Sequence, residues 1–205
     1  VDLVNQWRAL TGDEMQGREL VERWSEPHRR YHDVEHLRAV LRTVDELADD
    51  AADATAVRLA AWFHDAVYTG RPGEDERASA ELAASTLAAL GVHVEQVSEV
   101  VRLVELTAAH DVAPHDANGA VLCDADFAVL GGDPDEYATY AAAIREEYAQ
   151  VPEEEFRAGR IAVLERLMAR ERLFHTATGR KQWEEAAQRN IATELSLLRG
   201  GASAS

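Results

Sequence analysis

The chain of 205 residues and 22.6 kDa is long enough for one domain with a real core. Its 38 acidic and 21 basic side chains give a net charge of −17, which repels a nucleic-acid backbone and anionic lipid alike, so sequence-independent binding to either is not expected. Every apolar stretch is cut by a charge before the ~18 to 20 residues of a bilayer span, no basic-apolar-small leader opens the chain, and the single cysteine, Cys123, forbids an internal disulfide; a cytoplasmic protein is the expectation.

Ala, Leu, Glu and Arg dominate, and no stretch alternates apolar and polar residues for long enough to read as a strand, which predicts an all-α fold. The expected organisation is one helical domain over residues 1–199 and a disordered tail over 200–205. The first informative segment is Tyr31-His32-Asp33-Val34-Glu35-His36, opening an amphipathic run in which Leu37, Val40, Leu41, Val44 and Leu47 recur at helical spacing. Read as helix throughout, it sets His32 and His36 one turn apart, on top of an apolar stripe. Next comes Ala56 to Tyr68, apolar nearly all round as in the centre of a bundle, which ends in His64-Asp65. Adjacent helical residues diverge by about 100°, so those two reach one ion only at a helix end or bend.

Asp75 is a predicted start for an Ala-rich helix that stops at Gly91. Thr69 to Glu74 and Asp111 to Gly119 read as loops able to frame a pocket, each following a histidine-bearing segment. His110 extends the inner face of a helix carrying Val97, Val100, Val101, Val104 and Thr107, as a ligand for a second metal or for phosphate. In Val121 to Leu130, Asp124 and Asp126 are two carboxylates in an otherwise apolar run. Periodicity predicts that both are substantially buried and does not choose between them. Asp133-Pro134 and Val151-Pro152 are helix starts, and Gly131-Gly132 a stop.

Two histidines, a His-Asp pair and a buried aspartate make a mixed nitrogen and oxygen ligand set suited to Mn, Fe, Co, Ni, Zn or Mg, as one ion or two. The lack of thiolate partners argues against a structural zinc cage. Water on such an ion becomes a nucleophile, and the ion reverses the local field for an anionic substrate.

The ordered words Arg29-Arg30-Tyr31-His32 with His36, Trp62-Phe63-His64-Asp65 with Val67-Tyr68, Glu76 before Ser79-Ala80, Thr107 with His110, Asp124-Ala125-Asp126 with Leu130-Gly131, and Arg145-Glu146-Glu147-Tyr148 resemble the HD superfamily of metal-dependent phosphohydrolases. Within it, the chain is similar to a bacterial group of HD phosphohydrolases of about this length. The resemblance implies a helical HD-type bundle with His36, His64, Asp65 and Asp126 as metal ligands, Asp126 being preferred to Asp124. His32-Asp33-x-x-His36 is also similar to the HNxxH word of cyclic-nucleotide phosphodiesterases, which implies His32 as proton donor; Asp33 departs from that word and adds a negative charge beside the site. Glu76 becomes a candidate base or supporting carboxylate, and Arg29, Arg30, Arg71, Arg77 and Tyr68 flank the motifs as candidate substrate contacts.

The expected function is hydrolysis of a phosphoester or phosphoanhydride bond in a small nucleotide-like metabolite. Alternatives are an HD-type di-iron oxygenase with His110 at a second metal, and a non-catalytic metal- or nucleotide-binding regulatory module. A metallopeptidase reading of His32-x-x-Glu35-His36 leaves His64-Asp65 unexplained. Nothing in the sequence specifies an oligomeric state.

Overall fold

The computed structural model describes residues 2–200. It is all-α, with 72% of residues helical and no strand among those described. The chain divides into two compact units, Val1–Ala125 and Asp126–Ser205.

The first unit contains α1 (Leu3–Thr11), α2 (Met15–Trp24), α3 (Val34–Glu46), α4 (Ala54–Phe63), α5 (Glu74–Ala89), α6 (Val94–Leu106) and most of α7 (Ala117–Phe127). α4 is the hub. Its Ala56, Val57, Leu59, Ala60, Ala61, Trp62 and Phe63 are all buried, and it packs on α3, α5 and α6. The period-3.6 stripe of α3 is buried from Leu37 to Val44, as its spacing predicts. α1 lies close on α2 because residue 17 is glycine; a Cβ there would come within 2.6 Å of the Trp7 ring. Asp53 caps α4 by accepting from the Thr55 and Ala56 amides, and its own amide donates to Asn118 Oδ1, tying the start of α4 to α7.

The second unit contains a 3-10 turn (Ala128–Gly131), α8 (Pro134–Glu147), α9 (Glu153–Met168), a short turn α10 (Ala177–Gly179) and α11 (Glu185–Gly200), entered through a π-helical stretch at Arg180–Glu184. Its core joins Leu130, Leu164, Phe174, Ala187 and Ile191. Arg160 of α9 forms a two-pronged pair with Glu194 of α11 at 2.8 and 3.0 Å, and the Tyr137 hydroxyl donates to the same carboxylate. The helix starts at Asp133-Pro134 and after Pro152 are as expected, Asp133 and Glu136 forming a reciprocal cap.

Three sequence expectations are corrected. α3 begins at Val34, so His32 precedes the helix. The stretch Asp111 to Gly119 is shorter as a loop, because Asp116 accepts from the Gly119 amide and α7 starts at Ala117. Gly200, placed in the tail, ends α11, while 201–205 lie outside the described residues. No helix of the described residues is long and apolar enough to cross a membrane.

Candidate metal centre

The site is built at the C-terminal end of α4. The last four carbonyls of any helix lack intrahelical partners and must find others when buried. Here Ala60 O accepts from the His64 amide at 2.9 Å, Ala61 O from His64 Nδ1 at 2.9 Å, Trp62 O from Trp24 Nε1 at 3.0 Å, and Phe63 O from the Ala66 amide at 3.0 Å. All four are satisfied, and two of the four bonds hold His64 itself.

The helix stops at Phe63, which is the break that lets His64 and Asp65 face one point. His64 Nε2 lies 3.1 Å from Asp65 Oδ2 and 3.3 Å from His36 Nε2, and His36 Nε2 lies 3.8 Å from Asp65 Oδ2. Two donors bound to one ion at about 2.1 Å are separated by about 3.0 Å in octahedral and about 3.4 Å in tetrahedral geometry. The separations of 3.1 and 3.3 Å fall between those values, and the third, 3.8 Å, is longer than both. His36, His64 and Asp65 therefore form a group able to hold a metal ion.

Protonation supports the fit. A carbonyl oxygen only accepts, so the His64 nitrogen facing Ala61 carries the hydrogen, and Nε2 of the neutral ring presents its lone pair. That lone pair meets a carboxylate oxygen at 3.1 Å, an arrangement favourable only with a proton or a cation between them. Metal-binding histidines commonly donate their second ring nitrogen to a backbone carbonyl in this way.

The two imidazoles are buried, with side-chain exposures of 3% and 1%, whereas Asp65 retains 16%. Trp24 packs on His64 with centroids 5.3 Å apart, and Tyr31 packs on His36 at 4.7 Å. The solvent side is thus the Asp65 side. His36 is delivered by α3, whose first turn is capped by Asp33 Oδ1 accepting from the Glu35 and His36 amides at 2.9 and 3.2 Å. The carboxylate that departs from the phosphodiesterase word is therefore engaged as a helix cap.

His32 is half-buried, its ring 5.6 Å from that of His36 and stacked on Tyr68 at 4.5 Å. The expected proton donor, one expected substrate contact and a candidate ligand thus share one aromatic cluster. Glu76 accepts from the Gly73 amide, closing the first turn of α5. Asp75 is buried inside that turn and accepts from the Thr69 amide at 2.9 Å, the Thr69 hydroxyl at 2.7 Å and the Arg71 amide at 2.8 Å, which makes Thr69 to Glu74 an ordered loop. A cavity of about 330 Å3 is lined by Arg23, Glu26, His28 and residues 66–69.

Arg29, expected to meet substrate, is buried with its guanidinium bonded to backbone carbonyls and to Glu26. Arg30, Arg71 and Arg77 are exposed. His110 follows α6 in a left-handed conformation, φ +50°, past the helix whose inner face it was expected to extend. Asp124 is fully buried in the first unit, and Asp126, half-buried, opens the second. Within that second unit the Asp126 charge acts on Tyr140, whose phenol is pushed up chiefly by burial, against the pull of Arg160.

His28 is exposed, and its Nε2 bonds Tyr68 O at 2.8 Å. Sequence reasoning gave Ser79 no role of its own, although its hydroxyl accepts from the Val67 amide at 3.0 Å and donates to Val67 O at 3.3 Å. The word shared around Glu76 and Ser79 was the only signal for it. Comparison with family models, curated proteins and solved structures finds no match to this chain.

Proposed function

We propose that the protein is a metal-dependent hydrolase that cleaves a phosphoester or phosphoanhydride bond of a small nucleotide-like metabolite. The observation that carries this reading is the convergence of His36 Nε2, His64 Nε2 and an Asp65 oxygen within 3.8 Å of one another, with His64 Nδ1 donating to Ala61 O. The order of motifs that resembles HD phosphohydrolases supports the choice of reaction. The chemistry that a divalent ion supplies there is activation of water and neutralisation of charge on a phosphoryl oxygen.

The chain's own residues do the rest. His36 and His64 bind from the buried side, and Asp65 binds from the side open to solvent, where substrate enters. His32, stacked on Tyr68, holds the proton delivered to the leaving oxygen. Trp24 and Tyr31 exclude water from the backs of the imidazoles. A further carboxylate, Asp126 by the resemblance or its fully buried neighbour Asp124, is assigned by comparing metal affinity in Asp126→Asn and Asp124→Asn.

The test is a screen of the purified protein, with Mn, Co, Ni, Mg and Zn in turn, against phosphorylated metabolites, beside metal analysis. Turnover that disappears in both His64→Ala and Asp65→Ala, with helical content intact, is the expected result. Metal binding without turnover for any substrate class identifies a binding module instead, and two irons per chain with oxygen-dependent turnover identifies an oxygenase.

A further inference from the structure

The least expected feature around the site is the placement of Arg29. Its side chain has no solvent exposure at all. A buried guanidinium is costly unless its donors are matched, and here three of its bonds go to main-chain carbonyls and two to the Glu26 carboxylate. Nη1 donates to His32 O and to Asp65 O, both at 2.8 Å; Nη2 reaches Ala66 O at 3.4 Å; and Nε and Nη2 donate to Glu26 Oε2 at 3.3 and 3.2 Å. The flat faces of the group are covered too, with Trp24 at 5.3 Å and Tyr68 at 5.4 Å from the guanidinium carbon.

Two segments, one holding Arg29 and His32 and the other Asp65, 36 residues beyond Arg29, are thereby joined through one nitrogen. One is the approach to α3, which carries His32 and, four residues on, His36. The other is the non-helical segment that carries Asp65. Because both carbonyls sit 2.8 Å from the same atom, a shift of either segment breaks a bond made by a buried charge. The downstream side of Asp65 is clamped in the same manner. Ser79 holds both polar groups of Val67, His28 holds Tyr68 O, and Asp75 holds the Thr69 amide. Residues 65–69 belong to no helix, so side chains supply the hydrogen bonds that a helix would have supplied.

We infer that Arg29 is a positioning residue for the metal centre, setting the spacing between the segment that delivers His36 and the segment that delivers Asp65. The inference rests on the metal reading of that cluster and adds the residue that gives it its geometry. Lysine cannot replace it, since a point charge has neither the planar fork that bonds two carbonyls in fixed directions nor the flat face that Trp24 and Tyr68 cover.

The test uses Co(II) with the full chain, in the wild type, Arg29→Lys and Glu26→Gln, with Arg102→Gln as a control for lost stability away from these contacts. Three quantities are read: the Co(II) dissociation constant, the Co(II) visible spectrum, and, in metal-free protein, hydrogen exchange over residues 62–69. Arg29→Lys is expected to weaken Co(II) binding by about tenfold or more, to change the spectrum and to speed exchange in that segment, as loss of a supporting partner does elsewhere. Glu26→Gln, which only loosens the outer side of the guanidinium, gives a smaller loss in the same direction, and the control leaves all three unchanged.

A folded Arg29→Lys that binds within about twofold of wild type, with the same spectrum, overturns the inference while leaving the metal centre standing. If Arg29→Lys does not fold, Glu26→Gln decides: unchanged affinity and exchange overturn the inference. A wild type that binds no Co(II) removes the metal reading and this inference with it.

Discussion

Asp33 separates two physical roles that one carboxylate can play beside a buried histidine. In the structure its Oδ1 accepts from two of the orphan amides of α3, those of Glu35 and His36. Substituting Asp33→Ala leaves both without that acceptor in a half-buried turn, and loss of an N-cap costs about 1 kcal/mol, within a range of about 0.5–2. For a unit of this size that corresponds to a melting-point decrease of roughly 3–6 °C. Asp33→Asn keeps the acceptor oxygen and loses the charge, so only the interaction with the helix dipole is given up, roughly 0.3–1 kcal/mol. Thermal and urea unfolding of the three proteins gives the ranking directly: wild type first, the Asn variant close behind, the Ala variant lowest. Since the cap includes the amide of His36 itself, metal affinity should follow the same order. An Asn variant that falls as far as the Ala variant would refute the cap and leave the negative charge as the feature that counts.

Glu194→Ala strands the buried Arg160 guanidinium and removes the acceptor of Tyr137, so a loss of about 3–5 kcal/mol is expected by urea unfolding. The double variant Arg160→Met with Glu194→Leu should recover most of it; equal destabilisation in both would refute the account. In the first unit, the Arg102 hydrogen bonds hold Glu99 below its ordinary 4.5, with Asn118 adding to them. Asp116 is held below 3.8 although burial acts the other way, because Arg102 and the Gly119 amide outweigh it. Carboxylates with depressed pKa stabilise the fold above their unfolded values and lose that contribution as pH falls through the folded ones. The melting-point gap between wild type and Arg102→Met should therefore be constant above about pH 5 and close progressively on acidification below it; a gap independent of pH would show that these ion pairs do not contribute.

Much of this molecule is determined locally. Periodicity is enough to place α3 and the apolar α4, and the Asp-Pro and Val-Pro punctuation is enough to start α8 and α9, because caps and burial stripes depend on neighbours a few residues away. The need for a bend at His64-Asp65 is also local: consecutive helical residues point too far apart to share an ion. Even three of the four expected ligands follow from residue type and motif order, and they meet in the structure.

What sequence reading mistakes are the residues whose role is set by distant partners. Arg29 reads as a candidate substrate contact until Trp24, Tyr68 and the carbonyls of Asp65 and Ala66 are seen to enclose it. Glu76 and Asp33 read as charges beside the site, and only the structure shows an oxygen of each on backbone amides. His28 and Ser79 carry no periodic signal at all, because a bond to the main chain 40 or 12 residues away leaves no pattern along the chain. Composition and spacing determine which groups are available for a site and which helices bear them. Only the tertiary structure decides which of those groups are consumed holding the backbone and which are left facing a common point, because that depends on where unpaired carbonyls and amides fall when helices end and pack.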